Sequence, residues 1–241
     1  MKNYLSFGGG VNSVAMYLLL MDQGVEFEAV FVDHGTDWPE TYEYVEMFKK
    51  KYPLTVLKPS RTIKTPFEAT FESLYDFSWA KRFFPSRMVR WYTADFKGAV
   101  LNKYQETPAF VFIGFDFDES HRAKIFTDKG REFRYPLIEY EITRDGCKAL
   151  IKNNGLPIPM KSGCYICPFQ RVGQLRELRK NHPELFCKLE KLEDRNNAER
   201  QRLSMEPYYS FKRPVRQVAE RNIKQSKLWQ EDEYPPCECM L

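Results

Sequence analysis

The stretch Tyr4-Leu5-Ser6-Phe7-Gly8-Gly9-Gly10-Val11-Asn12-Ser13 decides how the rest of the chain is read. Tyr4 to Phe7 is short and apolar and suits a buried strand. From Val11 the pattern turns helical through Leu18, Leu19 and Leu20, and Gly24 is placed to end that helix just past residue 23. Between strand and helix, three glycines let the backbone come close to a bound group. The amides of a helix N-terminus add positive potential there. Ser6, Asn12 and Ser13 can contribute side-chain hydrogen bonds. The order strand, glycine loop, helix predicts a phosphate site built from Ser6, Gly8, Gly9, Gly10, Asn12 and Ser13. A tight turn at a strand end is the plainer use of three glycines. The loop has neither the Gly-Lys-Ser/Thr of a Walker A loop nor the spacing of the dinucleotide fingerprint.

Working outward, residues 27–32 form a second apolar strand. Trp38-Pro39-Glu40 begins a helix, with Asp37 as its expected N-cap and Pro39 in its first turn. Residues 54–57 read as a third strand. This βαβαβ order calls for a parallel sheet covered on both faces. Residues 109–115 (Ala-Phe-Val-Phe-Ile-Gly-Phe) give the strongest strand signal and suit a central position. Two helical stretches, about 65–78 and 93–104, precede it, joined by the basic and aromatic residues 81–91. A helix follows at 144–153. After Pro159 the character changes to a cysteine knuckle at 163–169, charged helices at about 172–181 and 184–202, and a helix near 215–224. The expected architecture is a Rossmann-like α/β sheet with helices on both faces over residues 1–160. A helical, Cys-rich, metal-binding subdomain is expected over residues 161–241.

The 241 residues carry a net charge of +4, with 43% hydrophobic and 29% charged residues, an ordinary balance for a globular chain. The charge is uneven: residues 171–227 hold 15 basic and 8 acidic side chains. A polyanionic partner, DNA or RNA, would suit that excess, as would a solvated helix face. No apolar run approaches the ~20 residues of a membrane span. The chain enters its first strand at once, so no leader is expected and a cytoplasmic location follows. Six cysteines in such a chain point to metal or thiols rather than disulfides. Cys164-x-x-Cys167 and Cys237-x-Cys239 together offer a closed tetrahedral set of four thiolates for a structural zinc. Four unrelated thiols are the plain alternative. Cys147 and Cys187 lie in helical patterns as buried apolar residues.

The loop resembles the PP-loop (Ser-Gly-Gly-x-Asp-Ser) of the adenine nucleotide alpha-hydrolase superfamily, and more specifically that of the phosphoadenosine phosphosulfate (PAPS) reductase family. Later segments match in order. Val32-Asp33-His34-Gly35-Thr36-Asp37-Trp38-Pro39-Glu40-Thr41 resembles the family's Asp-Thr-Gly…Pro-Glu-Thr stretch. Arg90-Trp91-Tyr92-Thr93-Ala94-Asp95-Phe96-Lys97 resembles its Arg-x-Cys-Thr…Lys segment. Gly114-Phe115-Asp116-Phe117-Asp118-Glu119-Ser120-His121-Arg122 resembles its Gly-x-x-x-x-Glu-Ser-x-Arg stretch. Ser162-Gly163-Cys164-Tyr165-Ile166-Cys167-Pro168-Phe169 is similar to the Cys-rich segment of reductase-like proteins linked to phage and DNA modification. The resemblance spans about residues 3–190. It implies an adenine nucleotide, or a similar phosphate-containing substrate, at the C-terminal ends of the strands. ATP with Mg²⁺ is the implied form, and a 4Fe–4S cluster is the implied alternative to zinc. Asp33 would sit near the ribose or base, and Arg90, Thr93, Lys97, Glu119 and Arg122 would line the substrate side. The chain departs from the pattern at Asn12, where the motif has aspartate, and at Tyr92, where it has cysteine. It also lacks the Cys-Gly-x-His tail of true sulfonucleotide reductases. Asparagine cannot neutralise Mg²⁺ or act as a base. PAPS reduction is therefore not expected.

Asp33, Asp116, Asp118 and Glu119 fall at or after strand ends, where carboxylates can serve acid–base chemistry; helix capping is their plainer role. His34 lies beside Asp33. Three readings follow. The first is a PP-loop enzyme acting on ATP or a related nucleotide, as hydrolase or transferase, in nucleic-acid modification or sulfur transfer. The second is a DNA N-glycosylase of phage defence that uses the loop on a nucleic-acid phosphate and a carboxylate on a flipped nucleotide. The third is a non-catalytic nucleotide-binding module.

Overall fold

The computed structural model describes residues 1–64, 68–123 and 127–220. In chain order the elements are β1 (Lys2–Phe7), α1 (Val11–Asp22), β2 (Glu28–Val32), α2 (Pro39–Lys49) and β3 (Thr55–Leu57). Then come β4 (Arg61–Ile63), β5 (Ala69–Phe71), α3 (Leu74–Lys81), α4 (Trp91–Thr93), a π-helical turn (Ala94–Gly98) and α5 (Ala99–Tyr104). β6 (Ala109–Ile113), a 3₁₀ turn (Phe117–Arg122), β7 (Thr127–Asp128), β8 (Arg131–Arg134), α6 (Pro136–Glu139) and α7 (Arg144–Asn153) follow. The described chain ends with α8 (Val172–Asn181), α9 (Pro183–Arg202) and α10 (Val215–Glu220). They group into two compact units, Met1–Pro59 with Lys97–Gly163, and Ser60–Phe96 with the chain from Cys164. Residues 60–96, read from sequence as part of the first domain, thus group with the second unit.

The first unit is an α/β fold. Its sheet runs in the order β3-β2-β1-β6-β8-β7; the first five strands are parallel and β7 is antiparallel to β8. Alternation along β1 serves both faces. Leu5 and Phe7 join α1, α2 and α7 in one core cluster, while Tyr4 joins Val30 and Ala109 in another. The first cluster is aromatic at its centre: Phe7 and Tyr17 both pack on Phe48, with ring centroids 4.9 and 5.0 Å apart. β6 is central, as the apolar run predicts. From β1 the sheet grows one way to β2 and β3, then the chain returns to lay β6 on the other side. The two connections diverge between β1 and β6, which opens a crevice at the C-terminal ends of these strands.

Two expectations need correction, and one strand was not anticipated. Residues 65–67 lie outside the described residues, but Ala69–Phe71 is a strand paired antiparallel with β4, so no single helix covers 65–78. The helix starts at Leu74, where the Ser73 hydroxyl accepts the N–H of Asp76 at 3.3 Å. The N-cap of α2 is Trp38 rather than Asp37, whose carboxylate lies 3.5 Å from His34 Nε2. β8 went unread because Arg131-Glu132-Phe133-Arg134 carries three charges. It is tolerated inside because Arg131, 3% exposed, is neutralised by Asp128 at 2.5 Å and hydrogen-bonded to Asn102.

In the second unit α8, α9 and α10 pack through Leu175, Leu178, Leu189, Leu192, Val215 and Val218, all buried. The carboxylate of Glu193, on α9, accepts the N–H of Val215 at 2.9 Å and so holds the first turn of α10. Among the described residues, no helix is long and apolar enough to cross a membrane.

Candidate functional site

The glycine loop leaves β1 at the crevice. Gly9 takes φ +69°, a left-handed conformation, with Thr41 and Val45 side chains 3.1 and 3.2 Å from where a Cβ would stand. A side chain there would be strained on both counts. α1 begins at Val11, so the first-turn amides have no intrahelical acceptor and face the crevice end of the sheet. Two groups assigned to phosphate also bond to each other: the Gly10 N–H donates to Ser13 Oγ at 3.2 Å, and that hydroxyl donates to Gly10 O at 3.0 Å. Ser6, the penultimate residue of β1, pairs in register with Val30 and Ile113 at the heart of the sheet.

β6 delivers the carboxylates against the same loop. Gly114 makes this approach possible, since a Cβ there would lie 2.8 Å from the Asn12 carbonyl carbon and oxygen and 2.9 Å from Ser13 N. The Asn12 side chain, 7% exposed in its residue, joins both partners that this contact brings close. Its amide donates to Glu119 Oε2 at 3.2 Å, and its carbonyl accepts from Arg144 Nη1 at 2.6 Å. Arg144 Nη1 also lies 3.9 Å from Asp116 Oδ2. Arg122 Nη1 lies 3.2 Å from Glu119 Oε1, and its guanidinium stands 4.4 Å over the Phe115 ring. Asp116 caps the 3₁₀ turn by accepting the Glu119 N–H at 3.1 Å.

Burial dominates the electrostatics. Asp116 and Glu119 are 2% and 5% exposed. Desolvation pushes the Glu119 carboxyl up to about 7; the Asp116 charge adds to the rise, while Arg122 and Arg144 oppose it. Asp116 is also raised by burial, against the pull of Asn12 and Arg144. The result is two adjacent carboxyls, one of them half protonated near neutrality, joined to the loop through a neutral amide. Cys147, fully buried nearby on α7, has its thiol pushed up to about 12 by burial and suits a core role.

The remaining candidates are placed differently. Asp33 follows β2 and is held by the Gly35 N–H and the Tyr42 hydroxyl, both 2.9 Å away. Burial, with the charges of Asp37 and Asp33, raises the Tyr42 phenol well above its usual range, which keeps it a donor. Asp118 is exposed and accepts the Arg144 N–H at 3.0 Å, so it braces the start of α7. Lys97 lies in the π-helical turn. Arg90 and Thr93 belong to the second unit. There the Arg90 guanidinium lies 5.8 Å over the Phe169 ring, and its Nε and Nη2, like the Thr93 hydroxyl, are buried without a hydrogen-bond partner among the described residues. Cys164 and Cys167 share one turn, closed by the Cys167 N–H to Cys164 O at 3.0 Å. Cys237 and Cys239 lie outside the described residues.

Sequence reasoning missed Arg144 and Ser162. Arg144 is one more basic residue at a helix start, and only the sheet crossing places it on Asn12. Ser162 Oγ lies 2.6 Å from where a Gly10 Cβ would stand, and the next residue accepts the Trp38 N–H through Gly163 O at 3.0 Å. The Lys161-Ser162-Gly163 segment therefore lies along the glycine loop, a position its distance in sequence gave no sign of.

A parallel α/β sheet with a glycine loop after β1 and buried carboxylates after β6 defines a PP-loop-type fold. The chain belongs to the phosphoadenosine phosphosulfate reductase domain family, whose match covers residues 2–125. Among solved structures, a PAPS reductase from Candida auris, crystallised as a phosphate complex, superposes with a TM-score of 0.50 at 20% identity. That superposition covers 66% of this chain and 75% of that one. Two uncharacterized proteins of Methanocaldococcus jannaschii are 25% and 24% identical over 78% and 77% of this chain, but over only 47% and 40% of their own lengths. The chain thus spans about half the length, or less, of the curated relatives it matches.

Proposed function

We propose that this chain is a nucleotide hydrolase or transferase rather than a PAPS reductase. It binds the phosphate of an adenine nucleotide on the loop 6–13 and uses Glu119 to give or take the proton of the reaction. One observation carries the reading: a buried carboxyl pushed up to about 7 is hydrogen-bonded to Asn12 on the loop itself. Such a group is present in both protonation states near neutrality, the condition for acid–base work beside a reacting phosphate. Arg122 and Arg144 supply positive charge to the same cluster. Tyr92, where the family segment carries cysteine, is a buried side chain with no thiol chemistry to offer. A magnesium ion held through position 12 does not fit, because that side chain is neutral and its oxygen is occupied by Arg144. Titration calorimetry with ATP and AMP, with assays of phosphate and pyrophosphate release, tests the reading. The expected pH–rate profile bends near 7 and loses that bend in Glu119→Gln, with a rate loss of about 100-fold or more. Absence of binding by any adenine nucleotide overturns it, and tight binding without turnover leaves a non-catalytic module.

The same carboxyl pair favours a second reading. Asp116 and Glu119, with no charge at position 12, also suit cleavage of a base from its sugar when a DNA phosphate occupies the loop, as in a glycosylase of phage defence. Incubation with normal and hypermodified DNA, scored for abasic sites, separates the two; uncut DNA throughout removes the second. We also propose a structural zinc on Cys164 and Cys167, completed by Cys237 and Cys239, with a 4Fe–4S cluster as the alternative. The turn closed between Cys164 and Cys167 supports it by setting two thiols on one knuckle. Metal analysis is expected to find one zinc per chain, lost in Cys164→Ser; iron with sulfide would mean the cluster, and neither metal would sink both.

A further inference from the structure

The second unit carries a surface that the loop and its carboxylates leave unexplained. After α3 the chain from Phe83 to Val89 is irregular, yet it is firmly held. The Phe84 N–H donates to Asn196 Oδ1 at 3.1 Å, Arg87 Nε donates to Pro168 O at 2.7 Å, and the Arg87 guanidinium lies over the Phe169 and Phe211 rings. The loop after α9 hangs from the same helical turn: the Tyr208 N–H donates to Asn197 Oδ1 at 2.8 Å, and the Arg87 N–H donates to the Tyr208 hydroxyl at 3.3 Å. Adjacent asparagines of α9 therefore fix two loops, distant in sequence, side by side.

These fixed loops display apolar side chains. Met88 is 88% exposed, Val89 59% and Phe83 42%, and on the loop after α9 Leu203 and Met205 are 52% and 48% exposed. Scattered apolar exposure is ordinary, but here five such residues sit on two loops braced side by side. Its surroundings carry more cations than anions: Lys81, Lys212 and Arg213 are exposed, Glu206 beside Met205 is an exposed acid, and Glu199 is engaged by Arg82 at 2.8 Å and Arg202 at 2.5 Å. Apolar tips set among an excess of cations match a ligand with stackable flat groups strung on an anionic backbone.

We propose that these two loops form a docking surface for a nucleic-acid strand. Lys81, Lys212 and Arg213 meet its phosphates, and Met88 with Val89 presses against or between its bases. The surface lies wholly within the second unit, so it stands whichever reading of the glycine loop holds.

The test uses the full chain and one fluorescein-labelled oligonucleotide, as single strand and as duplex, followed by anisotropy across salt concentrations. Three phosphate contacts predict that affinity falls about 40-fold on duplex and about 20-fold on single strand as salt rises from about 50 to about 200 mM. Lys212→Ala with Arg213→Ala lowers the log–log salt slope by about 2 on duplex. A 2-aminopurine reporter in the oligonucleotide brightens on binding as its stacking is disturbed. Met88→Ala with Val89→Ala removes that brightening while the salt slope stays. Adenine-nucleotide affinity and thermal melting, measured on the same samples, separate a failure of this surface from a failure of the glycine-loop reading or of folding. No salt-dependent binding to either oligonucleotide overturns the proposal. So does binding indifferent to both double variants, or a preference for anionic lipid vesicles that the same substitutions abolish.

Discussion

Asn12 shows at the residue scale how one substitution reorganises a site. An acid at this position would stand as a third carboxylate beside Asp116 and Glu119, in a cluster where burial already holds one carboxyl near 7. The amide avoids that repulsion and supplies a donor to Glu119 and an acceptor to Arg144. Asn12→Asp is therefore expected to destabilise the fold by about 1–3 kcal/mol at pH 8, through the lost donor and the added charge. The loss shrinks at pH 5.5, where Glu119 is protonated and can itself donate to the new carboxylate. Urea unfolding at the two pH values checks this; equal loss at both would mean that charge is not the cause. The departure at residue 12 was legible in the sequence, but its partners were not, because Arg144 is 132 positions away. Asp118 shows how one carboxylate can take a structural contact. It follows a strand, where the sequence offered both acid–base and capping roles, and it accepts the Arg144 N–H at the start of α7.

At the scale of elements, the site depends on how closely the exit of β6 passes the start of α1. Gly114→Ala sets a methyl group 2.8 Å from backbone atoms that cannot rotate away. It is expected to cost about 1–3 kcal/mol and to weaken ligand binding at the loop, seen as a lower urea midpoint and a raised Kd. Gly10→Ala meets only the Ser162 hydroxyl. Its defect should be relieved in the double variant with Ser162→Ala, and no relief would show that the loop needs glycine at 10 for its own backbone. β1, β2, β3 and β6 were all readable because each is a short apolar run with punctuation at its ends. β5 and β8 were not. Ala69–Phe71 lies in a segment whose phenylalanines mimic a helical repeat, and β8 hides its burial behind two paired arginines. The helices α7, α8 and α9 matched their periodicity closely, since a strong charged face leaves a clear apolar stripe.

For the molecule as a whole, buried carboxyls weigh on the response to pH. Glu119 in the first unit and Glu193 in the second are each raised by burial to about 7 from 4.5. The folded state then holds protons that the unfolded chain releases, so stability is highest below about 4.5 on this account and declines as pH climbs to about 7, by about 3 kcal/mol for each group. Glu193→Gln should flatten its share of that decline in denaturation measured from pH 5 to 8; an unchanged slope would remove Glu193 as a source. Interleaving of the chain gives a second expectation. A fragment of residues 1–160 contains Phe84, Arg82 and Trp79 but lacks Asn196, Glu199 and Arg195, with which they bond. It should show molten near-ultraviolet dichroism and rapid proteolysis within 60–96, whereas a sharp cooperative melt would argue that this stretch stands without those partners. The central strand of the sheet has a last consequence, for the chain during its synthesis. β1, β2 and β3 leave the ribosome before β6, and the free side of β1 waits for Ala109–Ile113. Through that interval an apolar strand edge stays open to chaperones and to neighbouring nascent chains.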